Sequence, residues 1–121
     1  MNKHPIVHIE ISAKDREAAS KFYSELFGWQ VHQMPEMNYA TFEADGGPGG
    51  GFSPIGETNP VGSVIVYVDT DDIAASLDKA VELGGKVVVP ETPIPDMGWF
   101  AIFEDPTGNR IGLYKDNGAG K

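Results

Sequence analysis

The chain repeats itself. An alternating segment, IVHIEIS from Ile6 to Ser12, precedes a helical one, DREAASKFYSELFG, and about 56 residues on the order returns as SVIVYVD followed by DDIAASLDKAVELGG. Such a repeat constrains everything else, because each copy is one supersecondary unit that cannot bury its apolar face alone. The string Ala-Ala-Ser, at Ala18 to Ser20 and again at Ala74 to Ser76, sets the helix register. Three extended stretches follow each helix: WQVHQMP, NYATFEA and GGFSPI, then KVVVP, GWFAIFE and NRIGLY. Both halves therefore read βαβββ.

Local chemistry punctuates the elements. Ser12 or Asp15 caps the first helix, where unpaired N–H groups need acceptors, and Gly28 ends it in a left-handed conformation. Asp69 or Thr70 serves the second helix, which stops at Gly84 and Gly85. On the first helix Ala19, Phe22, Tyr23 and Leu26 fall at helical spacing. Gly46 to Gly51 cannot settle as a helix, and no helix or Lys-Ser/Thr pair follows to make it a phosphate cradle. It reads as a turn, or as a strand whose backbone closely approaches a neighbour. Asp105-Pro106-Thr107-Gly108-Asn109 is a turn joining two strands into a hairpin.

Alternation also assigns faces. Val7, Ile9 and Ile11 share one side of the first strand, and His8, Glu10 and Ser12 the other. A sheet face left uncovered by its single helix must be buried, so two halves are expected to close on each other around a concave interior. The helices then cover Val7/Ile9/Ile11 and Val64/Val66/Val68, while His8, Glu10, Ser63, Ile65 and Tyr67 line the hollow.

At 121 residues the chain suits one domain, with halves over about 5–57 and 62–115 and a loose tail over 115–121. Nine Lys plus Arg against eighteen Asp plus Glu, a net charge of −9, argue against nucleic acid or an anionic membrane as partner. A neutral or cationic small ligand is easier to hold. The absence of cysteine removes disulfides, thiolate metal sites and cysteine nucleophiles together. No apolar run approaches the roughly 20 residues a spanning helix needs, and MNKHPIVHIEIS alternates where a signal peptide would be continuously apolar. Cytoplasmic residence is the resulting expectation.

With the repeat in place, HIEISAKDREAASKFYSELFGW and GWFAIFEDPTGNRIGLY resemble the opening and closing signatures of the glyoxalase / bleomycin-resistance / dioxygenase (vicinal oxygen chelate) superfamily. The resemblance runs from about Ile6 to about Tyr114. It implies an α+β fold in which two βαβββ half-domains form an eight-stranded mixed, incompletely closed barrel with the helices outside. It also implies, for metal-dependent members, a divalent cation held by a His on the first strand and a Glu on the last strand of each half. There the cation acts as a Lewis acid on adjacent substrate oxygens. Carried onto this chain, His8 is the one such ligand present. Ser63 stands where the second His is implied, Gly112 where a Glu is implied, and residues 46–56 hold no Asp, Glu or His. One imidazole cannot hold a catalytic cation, since such sites take about three protein ligands. An atypical site on His8 and Glu10, which share a strand face, is the metal-dependent alternative.

Other candidates are weaker. His4, near the terminus, and His32, in an alternating strand, read as exposed polar positions. Of the aromatic set Tyr39, Phe52, Tyr67, Trp99, Phe100, Phe103 and Tyr114, three are the favoured ligand contacts. Tyr67 and Tyr114 share the inward face with His8, and Trp99 follows the turn Pro95-Asp96-Met97-Gly98. The expected function is therefore small-molecule binding in the hollow without the usual metal. The alternatives are a lyase, isomerase or oxygenase with metal on His8 and Glu10, and a metal-free enzyme using Glu10 or His8 as general base. The resemblance further implies a homodimer.

Overall fold

The computed structural model describes residues 2–118. Among the described residues eight strands and two α-helices, with parallel and antiparallel pairing mixed, make up the α+β class that the resemblance implies. The chain divides into two compact units, Val7–Val66 and, among the described residues, 2–6 with 67–118.

In the first unit β1 (Ile6–Ser12) leads to α1 (Arg16–Phe27), then β2 (Gln30–Met34), a 3-10 turn at Pro35–Met37, β3 (Tyr39–Glu43) and β4 (Gly49–Ser53). Within it β4 pairs in parallel with β1 and antiparallel with β3, and β3 pairs antiparallel with β2. Asp15 caps α1 by accepting from the Ala18 N–H at 3.0 Å, and Gly28 ends it at φ 75°, where a side chain would be strained. Ile9 and Ile11 face the helix as expected, whereas Val7 and Val64 are exposed rather than covered. Ile9 and Ile11 pack with Ala40, Phe42 and Phe52 around an aromatic quartet. Trp29 stacks on Tyr23 at 5.2 Å and on Phe42 at 4.5 Å, and Phe52 joins Phe42 at 5.2 Å and Tyr23 at 5.6 Å. Such pairs add about 0.5–1.5 kcal/mol each beyond their buried area. Of the four residues at helical spacing on α1, Ala19 and Tyr23 turn inward together with Ser20, whereas Phe22 and Leu26 are exposed.

β5 (Val64–Asp69) carries the chain from the first unit into the second, which continues with α2 (Ile73–Glu82), β6 (Lys86–Ile94), β7 (Gly98–Glu104) and β8 (Arg110–Asp116). Its hydrogen-bonded order runs β5-β8-β7-β6. The edge strand β6 is interrupted by two register shifts against β7 and carries Pro90 and Pro93. Ile73, Leu77, Ala101 and Leu113 form its core. The turn Asp105 to Asn109 closes the β7–β8 hairpin as expected, with Asp105 Oδ1 accepting from the backbone N–H of both Thr107 and Asn109 at 2.9 Å. Lys115 and Asp116, expected in the tail, belong to β8, and 119–121 lie outside the described residues.

The cap of α2 is Asp72, not Asp69 or Thr70, and it accepts from the Ala75 N–H at 3.0 Å. Equivalent caps at Asp15 and Asp72 pair Ala18 with Ala75, whereas the shared Ala-Ala-Ser string pairs Ala18 with Ala74. The string misleads by one residue because hydrogen-bonded caps, rather than identical letters, set where a helix begins. Strand registers agree with the caps. Ala40 opposite Phe52 matches Ala101 opposite Leu113, and Ile11 opposite Phe52 matches Val68 opposite Leu113.

Candidate functional site

On the β1 face turned away from α1, His8 and Glu10 stand two residues apart, and Tyr39 reaches them from β3 across β4. The Tyr39 hydroxyl donates to Glu10 Oε2 at 2.6 Å, and His8 Nε2 lies 2.8 Å from the same hydroxyl. His8 Nε2 is also 3.4 Å from Glu10 Oε2. A phenol carries a single proton, and here it goes to the carboxylate. The imidazole therefore donates from Nε2, and in the neutral ring the lone pair is on Nδ1. Half-buried side chains on all three members keep the cluster in reach of a ligand.

The glycine strand makes this cluster possible. Gly51 lies opposite Glu10 on β1 and Thr41 on β3. A Cβ at Gly51 would overlap the Oη, Cζ and Cε2 of Tyr39, so the phenol crosses β4 through the space a side chain would take. The second unit repeats the device. Gly112 lies opposite Tyr67, whose ring occupies the space of the missing Cβ. Register equates Gly51 with Gly112, so a tyrosine ring covers each strand position where the resemblance implies a carboxylate ligand.

The remaining sequence candidates divide. Ser63 is half-buried, and its carbonyl accepts from the Ser12 N–H at 3.2 Å. By register the counterpart of His8 is the buried Ile65, two residues beyond Ser63, so that position carries no donor at all. Tyr67 is buried. Tyr114 shares the non-helical face of its unit with Tyr67 and Gly112, and its hydroxyl donates to the Met97 carbonyl at 3.3 Å. Burial, then the Asp116 and Asp69 carboxylates, push its phenol above the ordinary tyrosine range. Trp99 falls on the opposite face, packed against the core under Lys115, whose Nζ sits 5.3 Å from the ring. His4 Nδ1 lies 3.0 Å from the Asp69 carbonyl, and the exposed His32 pairs with Glu43 at 3.4 Å. Among the described residues no three His, Asp or Glu side chains converge as a metal-binding group. None of the described helices is long and apolar enough to cross a membrane.

The sequence matches the family model of the Glyoxalase/Bleomycin resistance protein/Dioxygenase superfamily over residues 5–113, and the chain belongs to that superfamily. CFP32 of Mycobacterium tuberculosis, described provisionally as a glyoxylase, is 32% identical over 90% of this chain. The chain spans 44% of that relative's length. A glyoxylase-like domain-containing protein of Didymella fabae is 33% identical over 84% of this chain and 85% of its own. Among solved structures, methylmalonyl-CoA epimerase from Mycobacterium tuberculosis superimposes with a TM-score of 0.70 at 13% identity. That match covers 95% of this chain and 89% of the epimerase, a likeness of fold.

Proposed function

We propose that the chain binds a small oxygen-bearing molecule at Tyr39, Glu10 and His8, without the divalent cation that the family resemblance implies for metal-dependent members. The observation that carries this reading is the pair of tyrosine rings over Gly51 and Gly112. A carboxylate at either position would collide with a ring already in place, and Ile65 stands where the second imidazole is implied. His8 and Glu10 remain as two donors, fewer than the roughly three a catalytic cation takes. The residues present do not fit the metal.

The same cluster supports a second reading, in which Glu10 accepts a proton from the bound molecule. The 2.6 Å bond from Tyr39 favours it, since a phenol in contact with both a carboxylate and an imidazole can pass a proton between ligand and protein. In that role Glu10 is the base, Tyr39 the relay and His8 the group that orients the phenol. Ser63 is a further proposed ligand contact on the first unit, and Tyr67 and Tyr114 are proposed contacts on the corresponding face of the second; Trp99, on the helix side, is not. Pairing of two copies belongs to the proposal too, supported by the exposed apolar face Phe22, Leu26 and Phe27 on α1.

Thermal-shift screening of small carbonyl and hydroxy compounds, with and without EDTA, tests the binding. At least one compound should raise Tm equally in both conditions, and the rise should vanish in Tyr39→Phe and Glu10→Gln. A rise that needs added Zn, Ni, Mn or Fe(II) would refute metal independence.

A further inference from the structure

Each unit packs one helix on its strands, yet the two spaces beneath the helices are filled differently. In the first unit the aromatic quartet closes the space, with Trp29 stacked on Phe42 at 4.5 Å and 9°. The equivalent positions in the second unit follow from registers already described. Phe42 corresponds to Phe103 and Phe52 to Leu113, since both sets pair around the fully buried Ala40 and Ala101. Trp29 stands two residues before Val31, which pairs with Phe42; Gly85 stands two before Val87, which pairs with Phe103. Tyr23 lies as far from its cap Asp15 as Ala80 lies from Asp72. The two largest members of the quartet are thus replaced by alanine and glycine.

The unit is open beside these small residues. Ala80, Gly85, Phe103 and Leu113 line one cavity of about 680 Å³ beside α2, within the range of about 300–1,000 Å³ typical of small-molecule sites. Apolar cavities on the order of 150 Å³ bind benzene. Phe103 presents the ring on which a flat guest would stack as Trp29 stacks on Phe42. The Thr70 and Ser76 hydroxyls, 2.8 Å apart, also line the cavity and offer an acceptor for one N–H or O–H of the guest. Asp71, Asp72 and Asp105 border the cavity, and its one lysine, Lys79, pairs with Glu82 at 3.6 Å. An anionic guest is therefore disfavoured.

We infer that this cavity is a second binding site, distinct from the Tyr39 cluster, for a planar aromatic molecule that is neutral or cationic. Indole, the side-chain ring of the missing tryptophan, is the direct probe. In the unaltered chain, indole should shift the methyl NMR signals of Ala80, Leu83 and Leu113 saturably, and Tm should rise with its concentration. Ala80→Phe, which returns a ring to the cavity, should weaken indole binding by more than about tenfold while keeping the folded spectrum. Methyls that do not respond to millimolar indole would overturn the inference, as would shifts centred on Thr41, or undiminished binding in folded Ala80→Phe. If that variant does not fold, the methyl map of the unaltered chain decides by itself.

Discussion

Replacing Gly51 by alanine should be costly for one identifiable reason. The three atoms nearest to a new Cβ all belong to Tyr39, so the phenol must swing away and give up its bonds to Glu10 and His8. A hydrogen bond to a charged group contributes about 1.5–3 kcal/mol and a neutral one about 1 kcal/mol. Glu10 and His8 side chains are 18% and 30% exposed, so water partly replaces what is lost, and about 2–3 kcal/mol is the expected net cost. For a chain of 121 residues that corresponds to a fall in Tm of roughly 10 °C. Urea unfolding of a double-mutant cycle isolates the cause. In a Tyr39→Ala background the same Gly51→Ala change meets no ring and should cost about 0.5 kcal/mol or less, a coupling of at least about 1.5 kcal/mol. Equal costs in both backgrounds would show that the glycine serves something other than the passage of Tyr39.

Gly112→Glu, which returns the implied carboxylate, should collide with the Tyr67 ring and destabilise by about 3 kcal/mol or more; calorimetry with and without zinc should find no compensating rise in Tm. Asp105 is held below the ordinary carboxylate value of 3.8 chiefly by the Asn109 N–H and the Thr107 hydroxyl. Its stabilisation is therefore present above that value and lost as pH falls through the lower folded one, and Asp105→Asn should flatten this part of the acid-unfolding curve. Tyr114 has the opposite sign. Its raised folded value leaves stability intact below about 10, the ordinary tyrosine value, and erodes it as pH rises beyond, so Tyr114→Phe should resist alkaline unfolding better than the parent. Light scattering of the parent and of Phe22→Lys should give a dimer and a monomer respectively if α1 forms the interface between copies.

The architecture was legible because its signals are local. Alternation in IVHIEIS put His8 and Glu10 on one face and Ile9 and Ile11 on the other, as found. Aspartate was correctly among the candidates to start α1, but Ala-Ala-Ser promised a register that the hydrogen bonds of Asp15 and Asp72 shift by one residue. The turn before Trp99 suggests a ligand contact beside Tyr67 and Tyr114. Counting by two from the buried Ala101 puts Trp99 on the helix side. Tyr39 belongs to the expected aromatic set, but nothing local singles it out from the others, because its partners are 29 and 31 residues away, beyond any local period. The available hint was the triple glycine inside a strand, a composition that implies something large crossing above it. Pairing of the two tyrosine rings with two glycines is invisible until the registers are known.

The irregular margin of β6 bears on how crowded solutions of this protein behave. Pro90 and Pro93 lack the N–H that another chain would need to zip alongside, and the two register shifts bend the strand out of line. A fibril seed grows by copying a flat, fully donating rim, and this one offers none. Growth from that side is blocked by the backbone itself, and the exposed Lys86 and Glu91 on the same strand add charge to it.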